Sequence, residues 1–291
     1  SQNLVYSYKN FEDEYIVFRD REIRVYRRTG SLYVSWDARR IAFMGRRGSS
    51  IVMNVNGEES PLHDEIKPMG FWSDGQIMYA ARNGPRWQIY RGFEAITEYY
   101  DGISEVALNL YGTVAGALVR LPNGYYTGLI ISDEYYEPLT TKEYTWVKNI
   151  ALHPELPMMA FSSTYENVYY VTLNNSDYYA GQFAGPPQFT HTGEDVFFIG
   201  CTLNCFVNVS GHRYDTKLGI AADKKIAMKP RSRTIAYTSS TSLIVAYLGT
   251  DDFNLGKMMD QISEPRYNWR DGRYEALGLI RDRLYLLTCT P

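Results

Sequence analysis

Along this chain apolar and polar positions alternate, or run apolar and β-branched or aromatic for about five to seven residues, between short clusters of Gly, Asp, Asn and Pro. A two-residue period bounded by turn formers predicts short strands almost everywhere. The one stretch with helical spacing is 252–263, where Asp252 can cap and Leu255, Met258, Met259 and Ile262 share a face. It is predicted as a short helical insertion.

The strands recur as a unit. SLYVSWDARRIAFMGRRGSSIVMNVNGEESPLHDEI from Ser31 and KPMGFWSDGQIMYAARNGPRWQIYRGFEAITEYYDGI from Lys67 read alike, and looser copies begin at Ser104, Thr145, Gly185, Ile220 and Pro265, so that successive starts lie 36, 37, 41, 40, 35 and 45 residues apart. Four short antiparallel strands in each unit of about forty residues predict β-propeller blades, since helical solenoids of similar period need a 3.6-residue pattern. The fold class expected is all-β, a single β-propeller over residues 1–291. The first thirty residues add a hairpin, EYIVFRD and REIRVYRR. If it completes the blade begun by the C-terminal segment, there are seven blades with a shared N/C-terminal closing blade; if it stands alone, there are eight. Seven is expected, because shared closure ties down both ends.

The stretches SWDARRIAF and WSDGQIMYAARNGPRWQIYRGFEAITEYYDGI resemble the WD40-like (PD40) repeats of TolB-type bacterial propellers, best over 31–103. What the resemblance implies is structural: Asp74-Gly75 and Asp271-Gly272 make tight turns, Tyr100-Asp101 and Tyr214-Asp215 close blades, and the whole is a binding scaffold. The Gly-His and Trp-Asp signature of true WD40 repeats is missing.

Composition sharpens this picture. Aromatics make up 15% of the residues, including 26 Tyr, and blade packing accounts for most of them. No apolar run reaches the roughly 18 residues needed to span a bilayer as a helix, so no membrane insertion is expected. The first residues, SQNLVYSYKN, lack the apolar centre of a secretory signal. The compartment is left undetermined, with the cytoplasm favoured. Three Cys make no disulfide framework; Cys201 and Cys205 could face each other across a turn, and no zinc site is expected of them.

Chemistry is scarce. Asp37, Asp74, Asp223 and Asp271 recur in register, as the acids of a glycoside hydrolase would have to converge, but the same recurrence suits turn-forming Asp. His63, His153, His191 and His212 sit at different offsets in their units and do not point to one metal. No nucleophile elbow, zincin or phosphate-loop motif is present. No catalytic residue, metal or cofactor is therefore assigned.

Charge carries the functional clue. The net charge is only -3, yet residues 1–50 are +4 and 220–291 are +3, whereas 51–150 are -6 and 151–219 are -4. In a closed ring the two basic segments would be neighbours. Arg46, Arg47, Arg231 and Arg233, read as turn residues, form with Arg39 and Arg40 the expected protein-binding basic patch. Nucleic acid is the less favoured ligand of that side, given an overall pI near 5.9. A second expected surface, for protein or glycan, comprises Tyr99, Tyr100, Asp101, Tyr135, Tyr136, Tyr178 and Tyr179, because only one ring of each Tyr doublet can face the core. The function expected is a non-catalytic scaffold for protein–protein interaction within a larger assembly; the alternative is a glycan-binding or glycan-processing propeller. Oligomeric state is not legible.

Overall fold

The computed structural model describes residues 5–10, 13–19, 21–25, 28–135, 137–215, 225–238, 241–250 and 253–290. The chain divides into two compact units, Ser1–Thr140 and Thr141–Pro291. In the first, β1 (Val5–Asn10), β2 (Asp13–Phe18) and β3 (Arg21–Val25) form a three-stranded antiparallel meander. Three four-stranded meanders follow. They are β4 (Arg28–Val34), β5 (Ile41–Arg47), β6 (Ser50–Val55) and β7 (Glu58–Glu59); β8 (Glu65–Phe71), β9 (Ile77–Asn83), β10 (Arg86–Arg91) and β11 (Glu94–Ala95); and β12 (Gly102–Leu108), β13 (Val114–Arg120), β14 (Tyr126–Ser132) and β15 (Leu139–Thr140).

The second unit opens with β16 (Trp146–Leu152), β17 (Met159–Tyr165), β18 (Val168–Leu173) and β19 (Ser176–Gly181). A parallel bridge at Gly181 joins this meander to the next, built from β20 (Phe183–Ala184), β21 (Gln188–Phe189), β22 (Val196–Cys201), β23 (Cys205–Val209) and β24 (His212–Asp215). Then come β25 (Ile226–Met228), β26 (Thr234–Thr238), β27 (Leu243–Tyr247) and β28 (Phe253–Leu255). The last sheet holds β29 (Gln261–Ile262), β30 (Arg266–Asn268), β31 (Arg273–Ile280) and β32 (Arg283–Cys289).

The second strand of a meander is the one buried on both faces. Ile77 to Ala81 of β9, Val114 to Val119 of β13, all of β22 and all of β26 are buried. Such strands read as continuous apolar runs, not as alternation, because neighbouring sheets cover both sides. In the first unit, Ile16, Phe18, Ile23 and Val25 pack on Ile41 and Phe43, Ala42 and Met53 on Tyr79 and Tyr90, and Trp72, Met78 and Trp87 on Ala115 and Val119. In the second, Phe197, Val207 and Val209 pack on Ile235 and Tyr237, and Ala236 and Val245 on Tyr274 and Ala276. Each large buried aliphatic or aromatic side chain contributes about 1.5–3 kcal/mol.

The turn from first to second strand is closed by one backbone bond in six sheets: the N–H of Ser35, Trp72, Asn109, His153, Thr190 and Lys229 donates to the carbonyl of Arg40, Gln76, Val114, Met158, Asp195 and Thr234. These positions are 37, 37, 44, 37 and 39 residues apart, the structural form of the sequence repeat. The third strands end in tight hairpins of left-handed residues, as at Asn56-Gly57 and Ser210-Gly211.

Two expectations change. Residues 253–262 are extended: β28 pairs with β27 and β29 with β31, and Gly256 N–H donates to the Leu243 carbonyl at 2.8 Å. A mid-helix Gly costs about 1 kcal/mol, whereas extension satisfies these backbone groups and buries Met259; Asp252 lies outside the described residues. The ends of the chain also do not form one sheet among the described strands. β1–β3 and β29–β32 are separate, because REIRV alternates well enough to make a third strand that buries Ile23 and Val25. Cys201 and Cys205, paired across the β22–β23 hairpin, are joined in a disulfide.

Successive turns of the first unit touch, with Ser73 N–H donating to the Gly112 carbonyl at 2.7 Å. Gly112 has φ +68, and a Cβ there would lie 2.6 Å from the Phe71 carbonyl oxygen. Gly112→Ala should therefore cost about 2–4 kcal/mol of unfolding free energy. Gly84→Ala, at φ +59 but in open space, should cost only about 1–2 kcal/mol in the same urea titration.

Candidate protein-binding site

Of the carboxylates and imidazoles that might have done chemistry, Asp37, Asp74 and His153 are engaged in holding turns. Asp37 Oδ1 accepts from Ser35 Oγ at 2.6 Å and from Arg39 N–H at 2.9 Å, bonds that hold its carboxyl below the usual range. Asp74 Oδ1 accepts from Gln76 N–H at 2.8 Å. Burial alone would raise Asp74, but this bond and the Arg91 guanidinium outweigh it and its pKa falls. Asp271 accepts from Asn268 and pairs with Arg273; Asp223 lies outside the described residues. The bond to the backbone two residues on is thus made by Asp37 and Asp74, whereas Asp271 is held by side chains.

His153 does the same work. His153 is buried, and its Nδ1 accepts the N–H groups of Glu155 and Leu156 at 3.0 and 2.9 Å. In the corresponding turn of the preceding sheet, Asn109 Oδ1 accepts from Thr113 and Val114. His63 is buried against Tyr79 and Tyr90, with Nδ1 3.0 Å from Asn83 Oδ1. Among the described residues no three His, Cys, Asp or Glu side chains gather as a metal site.

One polar knot ties the second and third four-stranded sheets of the first unit together. Arg91 donates to Asp74 and to Asp133, each at 2.7 Å, and stands over the Trp72 ring, whose Nε1 donates to Asp133 at 2.8 Å. In the second unit Asp177 accepts from Tyr144, Thr172 and Lys142 at 2.8, 2.9 and 3.1 Å. The carboxylate of NNSDYY is therefore a structural hub and not a free part of the expected Tyr/acidic surface.

The Tyr doublets split as their spacing requires. Tyr99 is 55% exposed under the Arg86 guanidinium, whereas Tyr100 is 4% exposed, bridged to Trp87 through both backbone groups, and pushed by burial up to about 12. Tyr100 belongs to the core and not to a binding surface. Asp101 is exposed, Tyr135 and Tyr179 are exposed, Tyr178 is half-buried beside Gly211, and Tyr136 lies outside the described residues. Tyr99 follows β11, Tyr135 follows β14 and Tyr178 and Tyr179 lie on β19, so these rings belong to different sheets.

The arginines are redistributed. Arg46 and Arg47 are not turn residues; they end β5, with Arg47 bound to Glu59 Oε2 at 2.8 Å. Arg39 and Arg40 lie before the other end of β5, about 20 Å away at roughly 3.3 Å per residue. Arg40 is drawn across to the Gly75 carbonyl at 2.6 Å. In the second unit, Arg231 pairs with Glu194 and Arg233 lies over the Tyr214 ring at 6.0 Å. What the fold does bring together are residues of the first hairpin with the first four-stranded sheet. A cleft of about 240 Å³ is lined by Phe18, Arg19, Arg21, Ile23, Arg39 and Asn56. A larger, open one of about 720 Å³ shares Arg21, Ile23 and Asn56 with it and adds Arg24, Arg47 and Glu59. Sequence reasoning noted the density of Arg in this hairpin but did not join it to Arg39 and Arg47. The exposed Trp36, in the turn between β4 and β5, was likewise missed; its signal was an indole inside a turn motif.

Two measurements test the structural roles assigned here. Arg91→Met should lower unfolding free energy by about 1–2 kcal/mol, since it leaves the part-exposed Asp74 and Asp133 without their shared cation and removes the guanidinium from the Trp72 ring. For His153, burial depresses the pKa below its ordinary 6.5, against the opposing pull of Glu155 and the Gly193 backbone. The unfolded chain then takes up the proton first, so stability present above about pH 6.5 is lost on acidification. His153→Asn, which keeps a turn acceptor without the titration, should flatten the decline of the urea midpoint between about pH 7.5 and 5; His63, depressed for the same reason, supplies the remaining slope.

No protein-family model and no curated sequence matches this chain. Solved structures do. The crystal structure of a eukaryotic initiation factor matches over 94% of this chain and 78% of its own at 11% identity, with a TM-score of 0.55. The Dos1 propeller matches over 94% and 85% at 10% identity with a TM-score of 0.49. TolB from Acinetobacter baumannii matches over 78% and 66% at 15% identity with a TM-score of 0.38. At such identities the likeness concerns fold alone. With the likeness to the initiation factor, the succession of antiparallel meanders at a spacing of about forty residues makes this chain an all-β propeller.

Proposed function

We propose that this chain is a non-catalytic propeller that docks an acidic segment of a protein partner on the arginine clefts of its first unit. The observation that carries this reading is the convergence of Arg19, Arg21 and Arg39 on one cleft and of Arg21, Arg24 and Arg47 on the adjoining one. The two clefts hold five distinct arginines against two glutamates, Glu22 and Glu59, and Glu59 is bound by Arg47. Guanidinium groups suit carboxylates because their planar donors can engage both oxygens. The glycan-processing alternative would need free acids, and Asp37, Asp74 and Asp271 are committed to turns and ion pairs.

Exchange of Arg19, Arg21 and Arg39 for Glu should abolish capture of the native acidic partner, and capture by the parent protein should fall steeply with salt, as exposed charge pairs are screened within about 8–10 Å. Quantitative mass spectrometry of the captured material reads both effects. Equal recovery by the reversed variant, or recovery that ignores salt, sinks this reading.

A further inference from the structure

Among the described residues the first sheet has three strands, one fewer than each of the three sheets that follow it. In the other three sheets of the first unit, a third strand is covered by a short fourth one: β6 by β7 through Asn54 and Glu59, β10 by β11 through Tyr90 and Ala95, β14 by β15 through Ile130 and Leu139. Isolated bridges from Ile51 to His63 and from Trp87 to Tyr100 prolong this cover. Among the described residues β3 pairs on one side only, with β2. Every second residue of such an edge turns its N–H and C=O away from the sheet.

The larger arginine cleft runs along this strand. Its lining includes Arg21, Glu22, Ile23 and Arg24 of β3, and Arg47, Asn54 and Glu59 from β5, β6 and β7. Glu22 accepts from Tyr8 Oη at 3.1 Å on the face of its own sheet, and Glu59 is held by Arg47. Arg21 is exposed and has no carboxylate partner among the described residues. Arginines on an edge strand ordinarily discourage pairing with other chains. Here they line an open cleft of about 720 Å³, so the same charges reject basic strands and favour an acidic one.

We propose that the free edge of β3 is a strand-addition site, where an extended acidic segment of a partner protein supplies the fourth strand that the first sheet lacks. Backbone hydrogen bonds to β3 give the pairing, and carboxylates on alternate residues meet Arg21 beside the strand, while Arg47 keeps Glu59 from repelling them. The inference rests on the reading of this chain as a binder of acidic protein segments, and it adds how the segment is held.

The test uses the full chain and three fluorescent probes: an octapeptide alternating Val and Glu, the same peptide with every Val replaced by Pro, and a single-stranded decadeoxynucleotide. The Val/Glu peptide should bind, slow amide exchange at residues 21–25, and lose at least tenfold in affinity when Arg21 and Arg24 are reversed to Glu. The Pro peptide, which keeps the charge but loses every second N–H donor and has φ fixed away from strand geometry, should bind at least tenfold more weakly. Circular dichroism and the urea midpoint establish that the reversed variant is folded; Arg47→Gln, remote from β3 in sequence, serves as a second variant and should weaken binding severalfold. Equal binding of the two peptides, or binding without protection of 21–25, overturns strand addition while leaving an acidic docking cleft intact. Failure of both peptides to bind overturns the docking reading as well. Tighter binding of the oligonucleotide, with protection of the same amides, overturns both in favour of a nucleic-acid ligand.

Discussion

The structure depends on the burial of one strand per sheet on both of its faces. Once β9, β13, β22 and β26 are covered from either side, their residues must be apolar or satisfied internally, and the chain must leave and re-enter through turns at the rim. The exception confirms the constraint: β17 carries Ser162 and Ser163 in the interior, and both are bonded, to the Gly185 carbonyl and to Thr172. Thr172 hands on to Asp177, which Tyr144 and Lys142 complete. A buried hydroxyl without such partners would cost about 1–3 kcal/mol.

Because the sheets take up the apolar residues, polar groups are left at the turns, and most are needed there. The same closing bond is made from Ser35, Trp72, Asn109, His153, Thr190 and Lys229. Six residue types serve one position, since the backbone makes the bond and the side chain only supplements it. That is why Ser-Asp-Gly is legible at 73–75 and fades afterwards while the spacing persists. It is also why the acids and imidazoles that suggested chemistry are structural. The arginines of the first hairpin differ: their stems lie on the edge of a short sheet, and their heads line clefts.

Double-sided burial also explains what became of the aromatic excess. Tyr79, Tyr144 and Tyr274 are among the largest fully buried side chains, and burial pushes each hydroxyl's pKa upward. Trp72 is buried as well, but its Nε1 remains useful as a donor to Asp133. The rings left exposed, such as Tyr99 and Tyr179, are the outward halves of doublets whose register sends neighbours to opposite faces.

Read alone, the residues of this chain determined the strands, the forty-residue period and the hairpin turns, because each depends on contacts among neighbours: side-chain alternation, and left-handed Asn and Gly after a third strand. They also determined that one Tyr of the pair at 99 and 100 is buried, though not that Tyr100 is the one. Only tertiary structure decided which arginines meet, that 253–262 extend along β27 and β31 instead of coiling, and that β3 ends its sheet uncovered. Each of these turns on pairing between segments distant in sequence or on the room left beside a strand. Local periodicity carries no record of either.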